Sequence, residues 1–92
     1  MNLEIYSKDW CPYCKRAKAL LEGEKIGYTE IDVTTDFERE EEMIQRSGGR
    51  RTVPQIFVEG RLIGGYDDLA ALNRRGPLVD VLQTSQAQTD GV

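Results

Sequence analysis

The sequence predicts a single α/β domain in which a four-stranded mixed sheet carries helices on both faces. Three observations predict it. The chain has 92 residues, enough for one compact core and too few for two ordinary domains. Its hydrophobic pattern switches between strand and helix periods in the order strand, helix, strand, helix, strand, strand, helix. The first three of these elements suit a βαβ unit, while the last two strands are separated by a short glycine-containing connection that suits a hairpin. With 39% hydrophobic and 30% charged residues, the composition is that of a folded globular chain, with no internal repeat and no linker.

Each element has its own signal. Residues 3–6, Leu-Glu-Ile-Tyr, form a short apolar-rich run that reads as the first strand, and Ser7, Lys8, Asp9 and Trp10 lead from it to Cys11. A helix should open at Pro12, whose missing N–H costs nothing in a first turn, with Cys14, Ala17, Leu20 and Leu21 on one face and Gly23 or Gly27 as the stop. Residues 28–33 alternate in character and predict the second strand. Thr35 to Glu38 has the spacing of a capping box, and the helix that follows should run to Arg46. Phe37 and Ile44 lie on one side of it, Glu42 stands four residues before Arg46, and Gly48-Gly49 ends it. Residues 55–58 and 62–64 flank Glu59-Gly60-Arg61 as the hairpin. Asp67 is expected to cap a third helix carrying Leu69, Ala70 and Leu72, which closes with Arg74, Arg75 and Gly76. Residues 77–82 add a final helical turn, so the domain is expected over residues 1–82. Residues 83–92, polar and without periodicity, read as a frayed tail.

Composition also excludes functions. A net charge of −4 argues against a phosphate-binding surface, so nucleic acid is not an expected partner. Histidine is absent, which removes the usual base of a Cys-His hydrolase and the commonest nitrogen ligand of a metal. Nowhere do eighteen apolar residues run together, and no basic leader precedes the first strand. The expected location is cytoplasmic, with no membrane partner.

Only two cysteines exist, and they form Cys11-Pro12-Tyr13-Cys14 at a strand-to-helix junction. The thiolate is the reactive form of a cysteine, and unpaired N–H groups together with the positive end of a helix dipole favour that anion at a helix start. Lys8 could add a cation. Cys11 is therefore the expected nucleophile, and Cys14, one turn further in, the resolving thiol that attacks a mixed disulfide from a pre-organised distance. Two rival readings are weaker. A closed zinc site needs four ligands, and the chain offers no further cysteine and no histidine. A pair of inert core thiols would explain Cys14 better than Cys11, which stands at the helix entry beside Pro12.

With these residues in place, the chain resembles the dithiol glutaredoxins of the thioredoxin-fold superfamily. The matching segments are Tyr6-Ser7-Lys8, Cys11-Pro12-Tyr13-Cys14, Thr52-Val53-Pro54-Gln55-Ile56-Phe57 and Gly64-Gly65-Tyr66-Asp67-Asp68-Leu69, in the family's order and spacing. The resemblance implies the thioredoxin fold, with glutathione as reductant and co-substrate, no metal requirement, and a monomer. It implies that Lys8 meets the glycine carboxylate of glutathione with help from Arg46, Arg50 or Arg51, of which Arg51 adjoins the next contact segment. Thr52 and Val53 would pair with the cysteinyl backbone as an added strand, with Pro54 in the cis form. Tyr13 would border the sulfur, and Gly65, Tyr66 and Asp67 at the third helix start would hold the γ-glutamyl end.

The activity so implied is reduction of glutathione mixed disulfides through Cys11 alone, and of protein disulfides through Cys11 and Cys14 together. Glutathionylated proteins and protein disulfides, ribonucleotide reductase among them, are the implied partners. Two departures from the family stand out: Trp10 precedes the nucleophile, as in thioredoxins, and Tyr66 stands where glutaredoxins often carry cysteine or serine. The alternatives are a thioredoxin-like reductase served by a flavoprotein, which Trp10 favours, and a glutathione-ligated iron-sulfur cluster carrier, which Pro12 disfavours.

Overall fold

The structure, a computed structural model, describes residues 1–83. Seven elements follow one another: β1 (Leu3–Ser7), α1 (Pro12–Gly23), β2 (Thr29–Asp32), α2 (Phe37–Arg46), β3 (Gln55–Val58), β4 (Arg61–Gly64) and α3 (Tyr66–Asn73). A further helical segment covers 78–83. The sheet order is β2-β1-β3-β4. β1 runs parallel to β2, while β3 is antiparallel to both β1 and β4, which makes the predicted mixed sheet. Tyr6 lies opposite Gln55, Ser7 opposite Asp32 and Gly64 opposite Ile56. The loops that leave β1 and β4 and the loop that enters β3 therefore meet at one end of the sheet.

Alternation along β1 and β3 sends side chains to two separate cores. Leu3, Ile5, Ile56 and Val58 pack with Ala17 and Leu21 of α1, Leu69 of α3, and Leu78 and Leu82 of the last helical segment. On the opposite face Tyr6 and Phe57 pack with Val33 and with Met43 of α2. The Tyr6 and Phe57 rings meet edge to face, 5.7 Å between centroids.

Several local expectations are corrected. α1 stops at Gly23, and the chain turns through Lys25 in the left-handed region (φ 59°), so Gly27 plays no part in the stop. The cap of α2 is Asp36, whose carboxylate accepts the Arg39 N–H at 3.0 Å, and not a Thr35 box. Phe37 is 83% exposed; Met43 and Ile44 are the α2 side chains that pack with Tyr6, Val33 and Phe57. Glu42 and Arg46 do not pair with each other. Tyr6, buried beneath them, donates its hydroxyl proton to Glu42 and accepts from Arg46 at 2.7 Å, while Arg46 also pairs with Glu4 at 2.9 Å and Glu42 with Arg39 at 3.0 Å.

The hairpin has a two-residue turn, Glu59-Gly60, with both residues at positive φ (51° and 80°) as a type I′ turn requires, so Arg61 already belongs to β4. α3 is capped at Gly65, and Asp67, expected as the cap, is the second residue of the helix. Asp68, at the third helical position, reaches back to accept the Gly65 N–H at 3.0 Å. The final turn is present with Leu78, Val81 and Leu82 buried, and Gln83 belongs to it; the rest of the predicted tail, 84–92, lies outside the described residues. No helix among the described residues is long and apolar enough to cross a membrane.

Candidate active site

Pro12 starts α1, and the residue before it takes the N-cap position that Ser or Asp usually fills. That residue is Cys11. Its extended backbone (φ −86°, ψ 113°) turns the sulfur back over the helix, where Sγ accepts the Cys14 N–H at 3.2 Å. Sγ also lies 3.6 Å from the Val53 carbonyl oxygen, to which its thiol can donate. A sulfur so placed receives a backbone proton donor and faces the positive end of the helix dipole, which suits an atom that carries negative charge during reaction.

Both cysteines are free thiols, and they differ in setting. Cys11 keeps 4% of its surface in solvent and Cys14 none. Burial, above all, pushes the Cys14 thiol up to about 12; contact with Cys11 adds to this, against opposing contributions from the Lys8 backbone and Lys18. Cys14 therefore holds its proton at neutral pH.

Beside Cys11 opens a cleft of about 320 Å³ lined by Tyr13, Arg50, residues 52–55, Gly65, Tyr66, Asp67 and Asp68. One wall is aromatic. The Tyr13 and Tyr66 rings lie 6.0 Å apart, with the Arg16 guanidinium 5.2 Å from the Tyr13 ring. The opposite wall is backbone: the Val53–Pro54 peptide bond is cis, and a Cβ at Gly65 would stand 3.5 Å from the Pro54 carbonyl oxygen, so the start of α3 abuts this loop. Gln55 braces the loop from below by donating to the Thr52 carbonyl (3.0 Å) and hydroxyl (3.1 Å). A larger cavity of about 450 Å³, bordered by Asn2, Leu3, residues 24–29 and Val79, lies at the other end of β1, away from both thiols.

A family model described as Glutaredoxin matches residues 3–63, more than half of the chain and nearly the whole sheet. The chain belongs to the glutaredoxin family. It is 51% identical to Glutaredoxin 3 of Escherichia coli K12 over 82 residues, covering 89% of this chain and 98% of that one. Among solved structures it is similar to the buckwheat glutaredoxin-glutathione complex (TM-score 0.77, 33% identity, 89% of this chain and 76% of that one). It is equally similar in fold to the glutaredoxin of Brucella melitensis (TM-score 0.76, 45% identity, 92% and 91%). Family membership makes thiol-disulfide exchange its chemistry, and the sheet and helix order agree with the thioredoxin fold of its relatives.

Within this glutaredoxin, Tyr13, Thr52, Val53, Pro54, Gly65, Tyr66 and Asp67 share the cleft as the sequence suggested. The four basic residues divide. Arg50 lines the cleft, whereas Arg51 is exposed and outside the lining. Arg46 is committed to Tyr6 and Glu4 on the α2 side of the sheet, its guanidinium 4.2 Å from the Phe57 ring. Lys8 also lies outside the cleft lining, its ammonium paired with Glu40 at 3.0 Å. Sequence reasoning missed Gln55 and Asp68 as parts of the cleft. Asp68 had a signal, since it stands three positions after the glycine that caps α3.

Proposed function

We propose that this glutaredoxin reduces glutathione mixed disulfides and protein disulfides with glutathione as its electron donor. The observation that carries the reading is the position of Cys11 Sγ, 3.6 Å from the Val53 carbonyl at the edge of a cleft whose opposite end is the start of α3. The similar buckwheat protein was solved as a complex with glutathione, which supports the same ligand in this cleft. An extended tripeptide pairs with the backbone of residues 52–53 while the α3 amides receive its γ-glutamyl carboxylate and Asp67 its ammonium. Tyr13 and Tyr66 flank it, and Lys8 or Arg50 meets the glycine carboxylate.

The exchange balances without a bound cofactor. The Cys11 thiolate attacks the glutathione sulfur of a mixed disulfide, the old S–S bond breaks, and the released thiolate takes a proton from solvent. A second glutathione thiolate then attacks the sulfur bound to Cys11, giving oxidised glutathione and restoring the Cys11 thiolate. On a protein disulfide, Cys14 resolves the intermediate: its sulfur bonds to Cys11, its proton passes to the departing protein thiolate, and glutathione reduces the resulting Cys11–Cys14 disulfide. A separate NADPH-dependent reductase returns the glutathione to its reduced form, and ribonucleotide reductase is one acceptor for the two-cysteine route.

Turnover of a small glutathionylated disulfide by wild type, Cys11→Ser and Cys14→Ser tests the assignment. Cys11→Ser is expected to be inactive, while Cys14→Ser keeps activity on this substrate. Equal loss in both variants removes the one-cysteine route, and an active Cys11→Ser overturns the nucleophile.

A further inference from the structure

At the Lys8–Glu40 pair a predicted substrate contact is already occupied by the protein itself. Lys8 Nζ lies 3.0 Å from Glu40 Oε2, and the two side chains are only 21% and 25% exposed. The Lys8 carbonyl accepts the Cys11 N–H at 3.2 Å, which ties the backbone of this residue to that of the nucleophile. Its ammonium also stands 5.8 Å from the ring of Trp10, which is 65% exposed and precedes Cys11.

We propose that Glu40 is a specificity residue that competes with the substrate's glycine carboxylate for Lys8, and so disfavours glutathione relative to polypeptide disulfides. The inference rests on the glutathione reading above. A carboxylate arriving at Lys8 meets another only 3.0 Å from the ammonium. It must either displace Glu40 or share one cation between two negative charges, and both cost binding energy. A polypeptide disulfide presents an uncharged amide at the corresponding place and leaves the Lys8–Glu40 pair intact. Since the substrate's glycine carboxylate takes no part in the S–S exchange and keeps its charge throughout, the handicap falls on KM and leaves kcat alone.

The test uses two small mixed disulfides, one of glutathione and one of glutathione amidated at its glycine carboxyl, with wild type, Glu40→Gln and the charge-matched control Glu41→Gln. Glu41 is an exposed neighbour on the same helix. Glu40→Gln is expected to lower KM for the carboxylate substrate about three- to five-fold, the range of a partly exposed ion pair, with kcat unchanged. KM for the amide should not move, and Glu41→Gln should move neither. An unchanged or raised KM in Glu40→Gln, an equal fall for both substrates, or the same fall in Glu41→Gln overturns the role of Glu40 while leaving the glutathione reading intact. Failure of the wild type to turn over either disulfide removes the glutathione reading, and this inference with it.

Discussion

Cys14 spends the reduced state as a buried thiol, and this has a consequence for stability. In the unfolded chain such a thiol gives up its proton near 9.0, whereas the folded protein holds it to about 12. Between those values the native state binds more protons than the unfolded one, so stability falls as pH rises. The contribution is complete below about pH 9 and lost on approaching about 12. Tyr28, also pushed up to about 12 from 10.0 by burial and its bond to Glu22, adds a fall in the same direction only above about pH 10. Urea midpoints of the reduced protein should therefore drop between pH 9 and 10, and Cys14→Ala should flatten that first part of the slope. Both cysteines were legible as chemistry because Pro12 fixes a helix start next to Cys11. The partner that Cys11 meets across the cleft, the Val53 carbonyl, is a backbone atom 42 positions away, and no side-chain pattern announces it.

Among the elements, α2 shows how a helix can be legible in extent and not in orientation. Helix-forming residues located its run, but the cap is Asp36 where a Thr35 box was expected, and of the expected side, Phe37 and Ile44, Phe37 is exposed while Met43 is the residue fully buried. What anchors α2 is polar: the Tyr6 hydroxyl joins Glu42 to Arg46, and the Tyr6 hydrogen bond holds the Glu42 carboxyl below the usual carboxylate range. Tyr6→Phe keeps the ring and removes that junction, and should cost about 1–2 kcal/mol in urea unfolding. The stabilisation of a depressed carboxyl is present above its ordinary pKa and lost as pH falls through the lower folded value. The difference between wild type and Tyr6→Phe should therefore shrink under acid. Activity toward mixed disulfides should be unaffected, because Arg46 is engaged here and not in the cleft.

At the scale of the whole molecule, the sheet order explains why residues as distant as Cys11, Pro54 and Gly65 share one site: the end of β1, the start of β3 and the end of β4 are neighbours. That much followed from the order of elements, whereas the Lys8–Glu40 pair and the engagement of Arg46 by Tyr6 and Glu4 depend on side-chain reach between layers. The last helical segment sends Leu78 and Leu82 into the core begun by Leu3 and Ile5. Both leucines are fully buried, and Leu82→Ala should cost about 2–5 kcal/mol, measured by urea unfolding. The face laid down by the first strand thus stays open until residue 82 has cleared the ribosome exit tunnel. The fold is completed only once residue 82 is free of the ribosome, and a released fragment truncated before Leu78 should remain open to protease where the full chain resists it.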